Sequence, residues 1–369
     1  MKTSKPIKIL VDCHKFDENF QGITSYLKGL YTELIKNSDY HFYLVSANSD
    51  SLKEIFGESS NVTYLNYFSR NKWFRLLFDI PFKIWKYKIN FAHFQYVASP
   101  LKFCKYIVTI HDVLFLDYPN YFGNKYRFKN NFLFKNSAKL ANVLLTVSEY
   151  SKERIVFYYK LTKEITVVPN AINEEYLNAF DKNESKKYIS EKYNIVDFIL
   201  MVSRIEPRKN HLLLLKSFVE ATLFERFQLV LIGKRDLDYQ DFEIYLSGLP
   251  KNVLKNIHLL ENIDNSDLLE FYRAANIFVY PSFAEGFGIP PLESIAVGTP
   301  TLCSNKTAMA DFDFLEDCFF DPNDKDDLKN KLLIPPKAFN VHSQKEKMLL
   351  KYNWTNNAKI FLDALHKKT

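Results

Sequence analysis

Residues 277–300 read IFVYPSFAEGFGIPPLESIAVGTP and carry the strongest evidence about the fold. Four apolar residues typical of a buried strand come first, and a glycine-rich loop follows them. Pro290 and Pro291 preset the first turn of a helix, where a missing N–H costs nothing, and Gly298 ends that helix. A strand, a loop and a helix in this order are the unit of doubly wound parallel sheets. The loop amides and the positive end of the helix dipole favour phosphate.

The same alternation of apolar runs and amphipathic segments runs through both halves of the chain, which indicates parallel sheets with helical crossovers. The predicted strands are 7–12, 41–45, 62–65, 91–95, 107–110, 143–147, 165–168, 198–203, 228–232, 257–260, 277–280 and 301–303. The predicted helices are 25–36, 122–139, 151–159, 211–222, 267–275, 291–296 and 356–366. We therefore predict an α/β protein with two Rossmann-like, doubly wound domains facing each other across a cleft.

The polar stretch that starts at Asn173 sets the domain boundary. We predict a first domain over residues 1–172, a linker over 173–185 and a second domain over 186–349. Residues 350–369 are predicted to form a C-terminal helix that packs back on the first domain.

The composition of the chain indicates a folded protein and excludes a disordered one. The chain has 369 residues, 47% hydrophobic and 25% charged, which is typical of a folded protein with two domains. Its net charge of +6 suits phosphate-bearing substrates or an anionic membrane surface. The four cysteines show no metal-ligand spacing. Residues 1–8 lack the apolar core of a signal peptide and no apolar run is long enough to span a bilayer, so a cytoplasmic protein is expected.

Two carboxylates lie eight positions apart, Glu285 in the glycine-rich loop and Glu293 in the helix that follows. This spacing lets them address different parts of one ligand. A carboxylate accepts two hydrogen bonds, which suits the vicinal hydroxyls of a pyranose or a ribose. The structural alternative is a loop–helix junction whose glutamates face solvent.

This stretch resembles the E-x7-E element of the family 4 glycosyltransferases, which have the GT-B fold. The resemblance implies that Glu285 binds the hydroxyls of the donor sugar as a catalytic residue and that Glu293 binds the ribose. It also implies that the amides of Gly286, Phe287 and Gly288 hold the sugar and phosphate. The first domain would then be the acceptor side, and the second would bind the nucleotide sugar.

A cationic segment reading SRIEPRKN follows the predicted strand at 198–203. A departing nucleoside diphosphate gains negative charge in the transition state, and fixed cations stabilise it. By the same resemblance Arg204 and Lys209 clamp the donor diphosphate. We expect Arg208 to be a helix-start charge and Glu206 to hold Arg204 in place. The structural alternative is a solvated basic helix start.

Two positions in the first half also match the family. His111 follows the strand at 107–110, and the resemblance places it as a catalytic residue near the reacting carbon of the donor sugar. Asp112 orients its ring or caps the next turn. Gly22, with Tyr26 one turn on, matches a loop that closes over the diphosphate. Without the resemblance, a lone histidine at a strand end is more often structural.

The resemblance implies retention of anomeric configuration, no bound metal and no cofactor besides the nucleotide-sugar substrate. Loose D-x-D triplets start at Asp236, Asp311 and Asp324, but a chain with 43 acidic residues gives such triplets by chance. The motif IEPRKN, residues 205–210, resembles the corresponding motif in enzymes of bacterial surface polysaccharide and lipopolysaccharide synthesis. We therefore expect transfer of a hexose, with mannose from GDP-mannose favoured, to a glycan or lipid-linked oligosaccharide acceptor, and no nucleic-acid partner.

Residues 72–88 interleave aromatic with basic side chains. An interfacial segment at an anionic membrane has this mixture, so one interpretation is a protein peripheral to the inner membrane face. The other is a core-facing helix with a solvated basic side, broken at Pro81.

Three rival functions share part of this pattern. A sugar-nucleotide epimerase would have the same architecture and part of the donor site. A dinucleotide-dependent oxidoreductase needs a G-x-G-x-x-G turn after the first strand, where this chain has Asp12-Cys13-His14-Lys15 instead. A non-catalytic carbohydrate- or sugar-nucleotide-binding protein would not need the paired glutamates and the cationic clamp together.

Overall fold

The computed structural model describes residues 5–17, 22–235, 237–334 and 338–368. The chain divides into two compact units. Unit 1 contains Met1–Ala171 and Tyr352–Thr369, and unit 2 contains Ile172–Lys351.

Unit 1 is built on a parallel sheet of seven strands in the order β3-β2-β1-β4-β5-β6-β7. The strands are β1 (Ile7–Asp12), β2 (Tyr40–Ser46), β3 (Val62–Asn66), β4 (Phe91–Gln95), β5 (Lys105–Thr109), β6 (Val143–Thr146) and β7 (Ile165–Val167). The winding reverses between β1 and β4, which pair in parallel with Ile9 opposite Phe91. In doubly wound folds, ligands bind beyond the carboxyl ends of the strands at such a point.

Unit 2 repeats this design with six parallel strands in the order β10-β9-β8-β11-β12-β13. They are β8 (Phe198–Val202), β9 (Gln228–Ile232), β10 (Ile257–Leu260), β11 (Ile277–Tyr280), β12 (Thr301–Ser304) and β13 (Phe319–Phe320). Here the reversal lies between β8 and β11, which are neighbours in the sheet. The cationic segment after β8 and the glycine-rich loop after β11 therefore leave the same edge side by side.

Helices cover both faces of each sheet, as parallel strands require. In chain order they are α1 (Gly22–Leu34), α2 (Ser49–Phe56), α3 (Lys72–Phe74), α4 (Ile80–Tyr87), α5 (Leu114–Asp117), α6 (Asn124–Leu140), α7 (Glu149–Tyr159), α8 (Lys182–Tyr193), α9 (His211–Glu220), α10 (Gln240–Ser247), α11 (Lys251–Leu254), α12 (Asn265–Ala274), α13 (Ile289–Ala296), α14 (Lys325–Leu332), α15 (Val341–Lys351) and α16 (Trp354–His366). None of the helices in the described ranges combines the length and apolarity needed to cross a bilayer.

The C-terminal helix α16 packs against α1 within unit 1. A Cβ atom at Gly29 of α1 would lie 1.9 Å from Cε2 of Trp354, so only glycine allows this approach. Asn357 donates a hydrogen bond to the carbonyl of Pro169 (2.8 Å), and the Tyr40 hydroxyl lies 2.7 Å from Nε2 of His366. Contacts from residues far apart in sequence thus fix the end of the chain to the first sheet.

The predicted fold class is confirmed in each unit, and the predicted strand ends differ from the observed ones by at most two residues. The helices α2, α5, α8, α10, α11, α14 and α15 were not predicted. Most residues of α2, α8, α14 and α15 are polar, and α5 and α11 are only four residues long. Helix α8 begins within the predicted linker over 173–185. Residues 182–185 form its first turn, where the Asp181 side chain accepts a hydrogen bond from the amide of Asn183 (2.7 Å).

The break at Pro81, part of the second interpretation of residues 72–88, does not occur. Residues 72–87 form one helical rod in which a π-helical turn, Arg75–Asp79, joins α3 to α4. The amide of Ile80 donates to the carbonyl of Arg75, five residues back. Pro81 follows at once in the first turn of α4, where the wider turn accommodates its ring and missing N–H.

Candidate active site

Glu285 is the centre of a buried polar cluster at the carboxyl edge of the second sheet. Its Oε1 accepts hydrogen bonds from Lys209 Nζ (2.5 Å), the Ser282 hydroxyl (2.6 Å) and the Tyr280 hydroxyl (3.0 Å). Its Oε2 accepts one from Arg208 Nη1 (3.1 Å). The structure therefore brings Glu285 and Lys209 together as a buried ion pair, and only 10% of each side chain is exposed.

Arg208 belongs to this cluster, so the prediction that it is a helix-start charge is wrong. Its guanidinium also donates to the carbonyl of Ala284 and to Glu206, and 9% of its side chain is exposed. Arg208 lies in a 3₁₀ turn over Pro207–Lys209. Both cations of this turn, Arg208 and Lys209, are buried, so neither is a solvated charge at a helix start.

Burial and charge act in opposite directions on the Glu285 carboxyl. Burial alone would raise its pKa, but Lys209 and Arg208 stabilise the anion and lower its pKa to about 2. Burial lowers the pKa of Lys209 to about 8 although Glu285 opposes the shift. Near neutral pH Glu285 is therefore ionised, and Lys209 remains mostly protonated.

Arg204 lies apart from the Glu285 cluster. Its side chain is 56% exposed, and its Nη2 lies 3.6 Å from Oε2 of Glu206. The expected contact between Glu206 and Arg204 is thus present, although the same carboxylate also accepts a hydrogen bond from Arg208. Of the two predicted clamp residues, one is buried against Glu285 and the other is available to solvent.

Glu293 occupies a different environment from Glu285. It lies in α13 and is half-buried, and its Oε2 accepts a hydrogen bond from the Tyr272 hydroxyl (2.8 Å). Burial raises its pKa to about 7, although hydrogen bonds from Tyr272 and Tyr176 favour the anion. Glu293 is therefore poised between the protonated and the ionised state near neutral pH.

The loop between the two glutamates is tightly packed. Gly288 has φ +106°, and a Cβ there would lie 3.2 Å from Cγ of Met309, so this position requires glycine. The ring of Phe287 packs on Phe312 with ring centres 5.6 Å apart. Gly286 is buried as well. Residues 286–288 can thus address a ligand through backbone atoms, while the Phe287 side chain belongs to the core.

His111 is a buried residue at the carboxyl edge of the first sheet. Its Nε2 lies 2.8 Å from Oε1 of Gln95, and its ring meets that of Tyr26 edge-on, with centres 5.1 Å apart. Burial lowers its pKa to about 3, so the ring is neutral. Asp112 accepts hydrogen bonds from the amide of Leu114 (3.1 Å) and the Tyr96 hydroxyl (3.0 Å), which is the turn-capping role.

Gly22 is the first residue of α1 rather than part of a loop, and it is exposed. Tyr26, one turn on, is fully buried. This stretch of the prediction is therefore corrected: the helix starts three residues earlier than expected. The donor-binding role of Gly22 stays a prediction.

No metal-binding cluster of three or more His, Cys, Asp or Glu side chains occurs among the described residues. Asp324 caps α14 by accepting hydrogen bonds from the amides of Asp326 and Asp327. Asp313 pairs with Lys351 at 3.0 Å. Asp236, the first residue of another D-x-D triplet, lies outside the described residues. Independence from metal remains a prediction.

A cavity of about 570 Å³ lies elsewhere in unit 2, against α8 and α12. It contains none of the predicted site residues. Four acidic side chains and a single arginine line it: Asp181, Glu184, Asp267, Glu270 and Arg273. This excess of carboxylates would repel a diphosphate, so the cavity is not the donor site that the sequence predicts.

Two family models match most of the chain. The model described as Glycosyltransferase Family 4 matches residues 20–176, and the model described as Glycosyl transferases group 1 matches residues 181–334. The chain belongs to this family of glycosyltransferases. The second match contains the Glu285 cluster, Arg204 and Glu293, and the first contains His111 and Gly22.

Several glycosyltransferases of bacterial surface polysaccharide are similar in sequence. The serotype-specific mannosyltransferase WbdA of Escherichia coli is 26% identical over 273 residues, 70% of this chain and 33% of WbdA. The O-antigen chain mannosyltransferase B of Escherichia coli is 28% identical over 257 residues, 67% of this chain and 65% of that protein. The chain thus spans a third of the first relative and about two thirds of the second.

Solved structures of glycosyltransferases confirm the GT-B fold. The sucrose-phosphate synthase of Thermosynechococcus elongatus matches with a TM-score of 0.74 and 18% identity, covering 98% of both chains. HepE of Anabaena, in complex with UDP and glucose, matches with a TM-score of 0.73 and 14% identity, covering 98% of this chain and 100% of HepE. At sequence identities this low, the similarity shows the fold alone.

Proposed function

We propose that this chain is a retaining, metal-independent hexosyltransferase that works in the cytoplasm. It would transfer mannose from GDP-mannose to a glycan or lipid-linked oligosaccharide acceptor in the synthesis of a bacterial surface polysaccharide. The names of the relatives support this choice of sugar and acceptor, since two of them are mannosyltransferases and one acts on O-antigen chains.

The observation that carries the proposal is the ionised, buried carboxylate of Glu285. Three of its four hydrogen bonds go to Oε1 and one goes to Oε2. Oε1 is therefore crowded by three donors, whereas Oε2 accepts one and retains capacity for a hydroxyl of the donor sugar. The surrounding donors hold the anion in place before the ligand arrives, which is the preorganisation that catalysis by electrostatics requires.

The donor diphosphate would be held by Arg204, by Lys209 and by backbone amides. Arg208 and Lys209 are buried beside Glu285, and Arg204 lies near Glu206 with 56% of its side chain exposed. Pro290 and Pro291 lack N–H groups, so a phosphate at the start of α13 would be bound by the amides of residues 286–289. Glu293 would accept hydrogen bonds from the ribose hydroxyls.

In the proposed reaction the bond between the anomeric carbon and the diphosphate oxygen breaks as the acceptor hydroxyl approaches from the same face. The acceptor proton passes to the leaving diphosphate, so no protein base is assigned. The cations and the positive end of the α13 dipole neutralise the charge that develops on the diphosphate. The donor-sugar role of His111 and the diphosphate role of Gly22 are part of the proposal.

The test is a transfer assay with GDP-mannose and an extract of bacterial lipid-linked oligosaccharides, in the presence of EDTA. The proposal expects release of GDP and a mannosylated product whose anomeric NMR signals show the configuration of the donor. An epimer of the donor without GDP release would indicate an epimerase. Binding of GDP-mannose without either product would indicate a non-catalytic binding protein, and inverted product or loss of activity in EDTA would refute the mechanism.

A further inference from the structure

The helical rod of residues 72–87 exposes aromatic rings along its outer side. Phe74, Phe78, Phe82 and Trp85 follow one another at intervals of three or four residues, and their exposed fractions range from 42% to 74%. Neighbouring rings contact each other, with centres 5.5 Å apart for Phe74 and Phe78 and 6.0 Å for Phe82 and Trp85. The four rings thus form two contacting pairs along one apolar stripe of the rod rather than scattered exposed residues.

Two basic residues of this rod point inward instead. Arg75 lies on the π-helical turn, with its Nε 3.6 Å from Oδ1 of the fully buried Asp12. Lys83 is buried in an ion pair with Asp79. The rod does face the core, through Leu76, Ile80 and Ile84. Its solvated side differs from the expected basic one, because Arg75 and Lys83 are buried and aromatic rings are exposed beside Lys86 and Lys88.

The charge that remains outside is positive. Asp79 is the only acidic residue between positions 68 and 88 and is fully buried. Arg70, Lys86 and Lys88 are exposed on the same segment. The stripe is thus bordered by cations without any exposed carboxylate of its own.

Helix α6 has the same character. Phe128 and Phe132 lie one turn apart and are 82% and 65% exposed, and Lys125 and Lys129 are exposed beside them. No acidic residue occurs between Asp117 and Glu149. A second aromatic and cationic helix therefore accompanies the first.

The two helices lie on the same face of the first sheet. On their inner sides Ile80 and Ile84 of α4 and Phe134 and Ala138 of α6 belong to one core cluster. Burial lowers the pKa of Lys72, and the positive charge of the nearby Lys129 lowers it further. The outer sides of both helices are consequently exposed on the same side of unit 1.

We propose that these outer sides bind an anionic lipid bilayer. We call the set Phe74, Phe78, Phe82, Trp85, Phe128 and Phe132 the aromatic surface. Amphipathic helices that lie on a bilayer insert aromatic rings at headgroup level while their lysines and arginines pair with lipid phosphates. The absence of exposed carboxylates on 68–88 and on α6 matches a negatively charged partner without repulsion.

The experiment is co-sedimentation of the full chain with vesicles of phosphatidylcholine alone or with 30% phosphatidylglycerol added. Binding is expected to the anionic vesicles and to weaken with salt. Trp73 and Trp85 are exposed and Trp354 is buried, so binding should shift tryptophan emission to shorter wavelength. The variant Phe78→Ser/Phe82→Ser/Trp85→Ser should lose about tenfold or more in partitioning, and each of Lys86→Ala and Lys129→Ala about fivefold.

The control variant Ile244→Ser/Leu350→Ser removes two equally exposed apolar residues from unit 2. It should bind vesicles as the unchanged chain does. Unaltered melting temperatures show that each variant is folded. Absence of binding to anionic vesicles, or equal binding by the triple variant, would overturn the proposal. A different outcome would also overturn it. If the unchanged chain did not bind vesicles but self-associated, and the triple variant did not self-associate, a second copy of the chain would be what covers the surface. The assay needs no donor and is independent of the proposed transferase activity.

Discussion

The Nζ atom of Lys209 lies 2.5 Å from Oε1 of Glu285, and the two residues come from loops that follow adjacent strands of the second sheet. Arg208 contacts the other oxygen of the same carboxylate at 3.1 Å. A glutamate with two buried cations stays ionised, fixed in position and close to the glycine-rich loop. This arrangement can hold a sugar hydroxyl with little reorganisation.

Replacing Glu285 should abolish most activity. Glu285→Gln keeps the shape of the side chain but removes the charge that holds a donor hydroxyl. We expect turnover of the donor to fall a hundredfold or more, since the loss of one preorganised contact of this kind costs about 2.7–4 kcal/mol. The turnover is measured as the rate of GDP release at a saturating concentration of the donor.

Stability must be measured on the same variant, because breaking a buried ion pair costs about 3–5 kcal/mol. Comparison with Glu285→Ala separates the two effects, since the alanine variant also loses the hydrogen bonds to Ser282 and Tyr280. Full turnover by a folded Glu285→Gln enzyme would remove this residue from the site.

Arg204 and Arg208 should respond differently to the same substitution. Arg208→Ala removes a buried cation that contacts both Glu206 and Glu285, so the free energy of unfolding should fall by about 3–5 kcal/mol. Arg204→Ala removes an exposed side chain and should leave the melting temperature unchanged while weakening binding of GDP. Thermal denaturation and calorimetric titration give the two readouts. Equal effects of both variants on stability, or unchanged GDP affinity in Arg204→Ala, would contradict these roles.

Glu293 should make nucleotide affinity depend on pH. Its pKa in the folded protein is raised to about 7, so the proton leaves as the pH rises through that value. Ribose hydroxyls donate hydrogen bonds better to the ionised carboxylate, and GDP affinity should rise about tenfold between pH 6 and pH 8. The Glu293→Gln variant is the control, because the diphosphate titrates in both proteins.

The same pKa has a consequence for stability. An unfolded glutamate loses its proton near pH 4.5, well before the folded one does. The free energy of unfolding should therefore decrease as the pH rises from about 4.5 to 7, and Glu293→Gln should lack this loss. Parallel pH profiles for the two proteins would show that Glu293 is not the group responsible.

His111 should not appear as a titrating group in the pH dependence of turnover. Burial lowers the pKa of its imidazole to about 3, so the ring stays neutral from pH 5 to pH 9. His111→Ala should lower turnover while GDP binding is retained, because the proposed contact is with the donor sugar. A change in turnover near pH 6.5 that is present in the unchanged enzyme and absent in this variant would show that the ring ionises during the reaction.

Much of the fold follows from local sequence. The strand before the glycine-rich loop and the prolines that start α13 are short-range signals, and both were predicted within two residues. Ser148 precedes α7 and is a typical cap residue, and its Oγ accepts a hydrogen bond from the amide of Ser151 (3.0 Å). The polar helices α8, α14 and α15 escaped prediction because contacts with the rest of the domain, and not their own amphipathicity, stabilise them.

The composition of the site was less predictable. Arg208 and Lys209 are adjacent cations, and the sequence does not show that both side chains are buried against Glu285. Tyr272 and Tyr176 reach Glu293 from segments far away in sequence, so no spacing indicated them. The aromatic rod shows the same limit: the sequence contains its rings and lysines, but only the structure shows that Arg75 and Lys83 are the buried ones.

The most direct test of the account is a thermal-shift panel of nucleoside diphosphates and their sugars on the unchanged chain and on Arg204→Ala. A ligand that binds only the folded state raises the melting temperature. We predict the largest rise with GDP or GDP-mannose and a smaller rise for Arg204→Ala. If no nucleoside diphosphate raised the melting temperature, or if one did so equally in the variant, this cluster would not be the donor site.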